Sequence, residues 1–141
     1  MPNEVLWKGG TSRSTGINSA GVNAGANQLG SEIDNAANKD RFASLDLTFS
    51  CASAPTANTV WEVYVLYAID GSNYEDGGAA LDPAKNPVGT IAARAATGAQ
   101  RQTLMNVPIL PFKFKLLLKS ELDQNATSVT MLCYTHNEEI Q

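Results

Sequence analysis

The stretch Thr59-Val60-Trp61-Glu62-Val63-Tyr64-Val65-Leu66-Tyr67-Ala68-Ile69 decides the fold class. It holds five β-branched residues and three aromatics, with no Gly and no Pro. β-Branched side chains lose rotamer freedom in a helix, and both residue types fit a pleated surface packed by neighbours. The run therefore reads as a strand. Trp61, Val63, Val65, Tyr67 and Ile69 point to one face. Val60, Tyr64, Leu66 and Ala68 point to the other, and only Glu62 is polar. A strand apolar on both faces belongs in the middle of a structure. Asp70-Gly71 then ends it sharply.

Upstream, residues 42–52 alternate cleanly. Leu45, Leu47, Phe49 and Cys51 share one face, and Asp46, Thr48 and Ser50 the other. That is a half-buried strand with one wet side. Ala54-Pro55-Thr56-Ala57-Asn58 joins it to the central run with the spacing of a hairpin. Downstream, Pro83 and Pro87 mark residues 78–88 as an irregular surface loop. Residues 90–96 form a weak strand. Residues 101–109 form another, with Met105, Val107 and Ile109 on one face. In residues 112–119, Phe112, Phe114, Leu116 and Leu118 alternate with Lys113, Lys115 and Lys119, and Leu117 is the exception. Residues 128–135 form the last strand, followed by a polar tail that is expected to be exposed.

The N-terminal region differs. Residues 4–8 suit a short strand, but residues 9–30 hold six of the 11 glycines among Ser, Asn and Ala. Few of these side chains bury apolar surface, so this segment reads as an arm, either loose or ordered on a neighbouring subunit. The expected organisation is an arm over residues 1–30 and a domain over residues 31–141. With residues 29–34 as an entering strand, the chain carries about eight strands and no helix signal. All-β chains of this length close as sandwiches or barrels. Two apolar-faced sheets with long loops favour a jelly-roll β-sandwich.

The totals narrow the function. At 141 residues one domain is expected, large enough for a core without staples. Charged residues are only 17%, below the ordinary level of about 25%. The net charge of −4 argues against a nucleic-acid partner, which calls for a basic excess. No apolar stretch approaches the length of a membrane span. Met1-Pro2-Asn3-Glu4-Val5 shows no secretory n- or h-region, so synthesis in a cytoplasm is expected, with Cys51 and Cys133 as reduced, buried thiols.

Catalytic chemistry finds little support. His136 is the sole histidine, so a zinc site with several imidazoles is ruled out. Cys133 falls on the apolar face of its strand with Val129 and Met131, which suits core better than a nucleophile. Asp70, Glu75, Asp76 and Asp82 cluster after the central strand. Asp70, Asn73, Glu75 and Asp76 could offer oxygens to calcium, but the spacing is not that of an EF-hand. A carboxylate pair for glycoside hydrolysis is a second reading. A turn in which Asp and Asn bond the local backbone is the simpler one. Lys113, Lys115 and Lys119 form a basic row that suits a solvated, aggregation-resistant face or a handle for an acidic protein. No cofactor and no enzymatic activity are expected.

Tyr67-Ala68-Ile69-Asp70-Gly71-Ser72-Asn73-Tyr74-Glu75-Asp76-Gly77 resembles a segment common in small virion proteins of tailed bacteriophages. In those chains a strand ending in Tyr and an aliphatic runs into Asp-Gly-x-Asn-Tyr-Glu-Asp-Gly. A Pro-containing loop follows, here Asp82-Pro83-Ala84-Lys85-Asn86-Pro87, then a Gln-Arg pair, Gln100-Arg101. Pro108-Ile109-Leu110-Pro111-Phe112-Lys113-Phe114-Lys115 matches a Pro-x-x-Pro-x-x-Phe-Lys segment, and Ser31-Glu32-Ile33-Asp34-Asn35 also fits. The resemblance covers residues 29–135 and leaves the Gly-rich arm unmatched. It implies a jelly-roll structural protein on the capsid surface of a virion. Such a protein cements or decorates a major capsid protein of HK97-like fold and binds as a homo-oligomer, dimer or trimer. Asp70, Asn73, Tyr74, Glu75, Asp76, Lys113 and Lys115 are the candidate partner contacts, together with the arm. The alternative is a tail-associated or receptor-binding β-sandwich that holds glycan, with Tyr74 as its loop-tip aromatic.

Overall fold

The computed structural model describes the backbone of residues 5–140 and the side chains of residues 13–137. Eight strands form two four-stranded sheets: β1 (Val5–Val22), β2 (Asn27–Asp34), β3 (Phe42–Cys51), β4 (Val60–Ala68), β5 (Gly89–Ala92), β6 (Gly98–Pro108), β7 (Lys113–Ser120) and β8 (Ala126–Ile140). One sheet has the order β1-β8-β3-β6 and the other β2-β7-β4-β5, with every pairing antiparallel. The pairs β1·β8, β2·β7, β3·β6 and β4·β5 are those of one long hairpin. Rolling that hairpin up adds β8·β3 and β7·β4. This is the jelly-roll sandwich expected from the sequence. The central run is the last strand before the hairpin's tip, and residues 69–88 are the tip itself.

The alternation of each strand sends one row of side chains between the sheets. Leu45, Leu47, Phe49 and Cys51 of β3 meet Trp61, Val63 and Val65 of β4 and Phe114, Leu116 and Leu118 of β7, all buried. Phe49 and Trp61 touch edge to face across the gap, with ring centroids 5.3 Å apart. The second apolar face of the central run is buried as well. Tyr64, Leu66 and Leu117 form a small cluster on the outside of the β2-β7-β4-β5 sheet, with Leu29 against it. Cys51 and Cys133 are free and buried, and burial pushes the Cys133 thiol up to about 12.

Four expectations need correction. First, residues 9–22 are not a loose arm but continue the short strand expected at residues 4–8. Together they form β1, which pairs along β8 from Val5↔Ile140 to Val22↔Ala126. The expected boundary at residue 30 falls inside β2. The glycines read as flexible are where the sheets touch. Gly16 sits at a bulge in β1 and Gly30 at one in β2. A Cβ on Gly30 would lie 2.2 Å from the Gly16 carbonyl oxygen, and one on Gly16 would lie 2.7 Å from Leu116 Cδ1. Only glycine permits that approach.

Second, β3 and β4 are not a hairpin, because they lie in different sheets. Their connection crosses the end of the sandwich, where Asp123 of the β7–β8 turn accepts bonds from the Thr56 amide (2.9 Å) and hydroxyl. Third, Met105 does not share the inner face with Val107. A bulge opposite Ser44, with Asn106 at φ 56°, flips the alternation and leaves Met105 62% exposed. Fourth, the polar tail is part of β8, which runs on to Ile140 against residues 5–8 of β1.

Candidate functional site

The 69–88 loop starts with a tight turn. Asp70 Oδ1 accepts the amides of Ser72 (2.9 Å) and Asn73 (2.7 Å), and Oδ2 accepts Asn73 Nδ2 (2.7 Å). The Gly71 amide bonds Ala68 O, with φ 82° at the glycine. These donors, above all the Asn73 amide, lower the Asp70 carboxyl to about 2. Its folded value is depressed, so the turn keeps this support above the ordinary value of 3.8 and loses it as pH falls through about 2. An NMR titration is expected to show the Asp70 carboxyl and the Ser72 and Asn73 amides moving together in that window. A midpoint near 3.8 would remove the turn from the account.

Three further anchors fix the loop. At Glu75 the chain returns beside β4. The Glu75 amide donates to Tyr67 O (3.0 Å), and its carboxylate accepts the Tyr67 amide (2.9 Å) and Lys85 Nζ (2.7 Å). Burial opposes its charge, but the bonds from Lys85 and Tyr67 outweigh that and hold its carboxyl low. Lys85 also donates to Val65 O (2.9 Å) and sits 5.4 Å over the Tyr67 ring. Tyr74 reaches back across the sheet to donate its hydroxyl to Glu32 of β2. Lys115 Nζ lies 4.3 Å from the Tyr74 ring centroid, and Lys113 Nζ is 3.1 Å from Glu32. Burial and the Glu32 bond push the Tyr74 phenol up to about 12. Finally, Asn27 donates to Gly78 O, Leu81 O and Asp82, and Asp82 pairs with Lys119. Gly77 lies on Leu66, so the pinned loop roofs the small outer cluster.

The candidate residues therefore converge, but mostly on each other. Asp70, Asn73, Tyr74 and Glu75 line one shallow depression with Tyr67 and Ile69. Lys113 and Lys115 join it through Glu32 and the Tyr74 ring. They are neither a free basic row nor a spare handle, and Tyr74 is not an unengaged loop-tip aromatic. Asp76 is exposed and makes none of these contacts. The loop also turns large apolar side chains outward: Ile69 is 67% exposed, and Leu81 and Val88 are exposed too. Leu110, also exposed, is held beside this end by its amide bond to the Tyr67 hydroxyl (3.2 Å). Sequence reasoning missed Glu32 and Lys85. Glu32 sits opposite Lys115 in the β2·β7 register, which no local pattern announces.

Asp70 accepts three N–H bonds, and Glu75 accepts Lys85 and a backbone amide on one oxygen. Among the described residues, no group of three or more His, Cys, Asp or Glu side chains is placed to hold a metal ion. Among them, too, no helix is long and apolar enough to cross a membrane.

No protein-family model and no curated protein sequence matches the chain. Solved structures show distant likenesses. A chain of the Kashmir bee virus empty particle at acidic pH is 9% identical, with a TM-score of 0.31, over 92% of this chain and 75% of that one. A turnip yellow mosaic virus chain is 13% identical, with a TM-score of 0.31, over 100% and 85%. The N-terminal cellulose-binding domain of β-1,4-glucanase C from Cellulomonas fimi is 13% identical, with a TM-score of 0.33, over 97% and 88%. At these scores the likenesses carry no argument about what this chain does.

Proposed function

We propose that the chain is a non-enzymatic structural protein of a tailed-phage particle. It decorates the capsid as a homo-oligomer and bridges subunits of a major capsid protein of HK97-like fold. The observation that carries this reading is the state of the 69–88 loop. Its charges other than Asp76 are engaged inside the chain, and the apolar side chains Ile69, Leu81 and Val88 stand outward on a pinned backbone. A pre-organised apolar surface gives up little conformational freedom on binding, so its burial converts efficiently to affinity. Two of the segments that resemble phage virion proteins, residues 67–77 and 108–115, meet at this surface through Tyr67 and Leu110. Repetition over a lattice multiplies such contacts.

The test is addition of the purified chain to bare capsids, with imaging of the particles. Ordered density across capsomer junctions is expected. Ile69→Asp is expected to weaken capsid binding by about tenfold or more while leaving the melting temperature unchanged, since the side chain is exposed in the isolated chain. Location at the tail alone, or absence from virions, would sink the proposal.

A further inference from the structure

The two outer faces of the sandwich differ. The β2-β7-β4-β5 sheet is roofed by the 69–88 loop. The β1-β8-β3-β6 sheet is open, and it carries two adjoining depressions that share Arg101. One is lined by Ser44, Asp46, Thr103, Met105 and Tyr134, and the other by Thr48, Ser50, Gln100 and Ser128. We propose that this trough is a separate binding site, and that it takes a linear oligosaccharide.

An open sheet face is ordinary in itself. What sets this one apart is Asp46. It stands at an outward position of β3 yet is only 6% exposed. Its carboxylate accepts Arg101 Nε (3.0 Å to Oδ1) and Nη2 (2.5 Å to Oδ2). Asp46 is thus a positioning residue. It locks the Arg101 side chain, itself 70% exposed, with Nη1 and one Nη2 hydrogen left for a ligand. Two adjacent N–H donors in a rigid plane match vicinal sugar hydroxyls. Arg13 lies 5.7 Å over the Tyr134 ring and steadies it. Tyr134 supplies the aromatic surface against which the C–H groups of a pyranose can pack.

Hydroxyl side chains make up about half of the remaining lining, beside the apolar Leu45, Phe49, Ala99 and Met105. Ser44, Thr48 and Thr103 each offer one donor and two acceptor lone pairs, the same inventory a sugar presents. From Ser44 to Ser50 the trough follows β3 for roughly 20 Å, which suits a chain of several sugar units rather than one. Other occupants fit less well. A nucleic acid needs a track of cations, and here Asp46 already neutralises Arg101. A second copy packed face to face would bury that ion pair twice without giving it new partners.

The site stands apart from the capsid contact: a particle-bound chain with no sugar affinity would overturn this inference alone. The test is an NMR titration of the full chain with cellohexaose, xylohexaose and maltohexaose. At least one should give saturable shifts confined to β3, β6 and β8. Tyr134→Ala and Arg101→Gln should each weaken that binding by about tenfold or more. Thr103→Ala, which removes a hydroxyl and no charge, should weaken it several-fold without disturbing the fold, and Tyr74→Ala should leave it unchanged. Absence of saturable shifts with all three sugars, shifts centred on the 69–77 loop, or unchanged affinity in Tyr134→Ala overturns the proposal.

Discussion

Gly30→Ala is expected to destabilise the fold by about 3 kcal/mol and to lower the melting temperature by roughly 10 °C. The new methyl would sit 2.2 Å from the Gly16 carbonyl oxygen, 2.9 Å from Ile17 Cγ1 and 3.0 Å from the Leu116 carbonyl oxygen. Two of these three neighbours are backbone, which cannot swing aside like the end of a side chain. The strands must separate, and separation loosens Ile17 and Leu116, both in the main core. Gly78→Ala is the control. A methyl there meets nothing within 4 Å, so the change should stay within about 0.5 kcal/mol. Thermal unfolding of the two variants decides the matter. Equal melting temperatures would show that the β1–β2 contact tolerates a side chain.

Trp61→Ala is expected to cost about 4 kcal/mol, a large part of the 5–15 kcal/mol that holds an ordinary domain together. Trp61 is fully buried at the centre of the sandwich, between Ser120 and Ile91 in its sheet and edge-on to Phe49 across it. Its removal leaves a cavity in a place where two sheets pack rigidly and cannot collapse. Trp61→Phe should cost much less, at most about 1.5 kcal/mol. It keeps an aromatic ring, and the indole Nε1 it removes has no hydrogen-bond partner among the described residues. Urea unfolding of both variants gives the comparison. A Trp61→Ala cost no greater than that of Trp61→Phe would mean that this side chain is not what joins the sheets.

The strands that carry their own apolar pattern were legible. β3, β4 and β7 show alternation or double-sided burial in the sequence, because their inward residues are large. β1 was not legible for the opposite reason. Within the residues whose side chains are described, it sends only Ile17 and Val22 into the core, and the rest of its length is held by backbone pairing to β8. Its partner sits more than a hundred residues away, so nothing local marks Ser12–Val22 as a strand. The β3–β4 link misled because its length fits a hairpin equally well. Whether a short loop turns back or crosses to the other sheet depends on what meets it, here Asp123. At the site, the Asp70 turn was readable from Asp-Gly and Asn73. The clamp on Tyr74 was not, since Glu32, Lys113 and Lys115 reach it only through the register of β2 and β7. Charges that look available in a sequence are often spent on partners that only the fold reveals.

The rolled hairpin has a consequence for how the chain comes to be made. Every sheet pairing joins one of β1–β4 to one of β5–β8. Neither half contains a single pair of hydrogen-bonded strands. During translation, then, the first four strands emerge with all their backbone groups unpaired, and the double-sided apolar run of β4 stands among them. Nothing in that half can shelter it until β5 and β7 leave the ribosome. Sheet formation must be a late event that draws in most of the chain at once. Long-range pairing of this kind is slow and exposes edges to neighbours. The nascent first half is thus the most aggregation-prone state this sequence passes through, and the 69–88 loop is the point at which that danger begins to end.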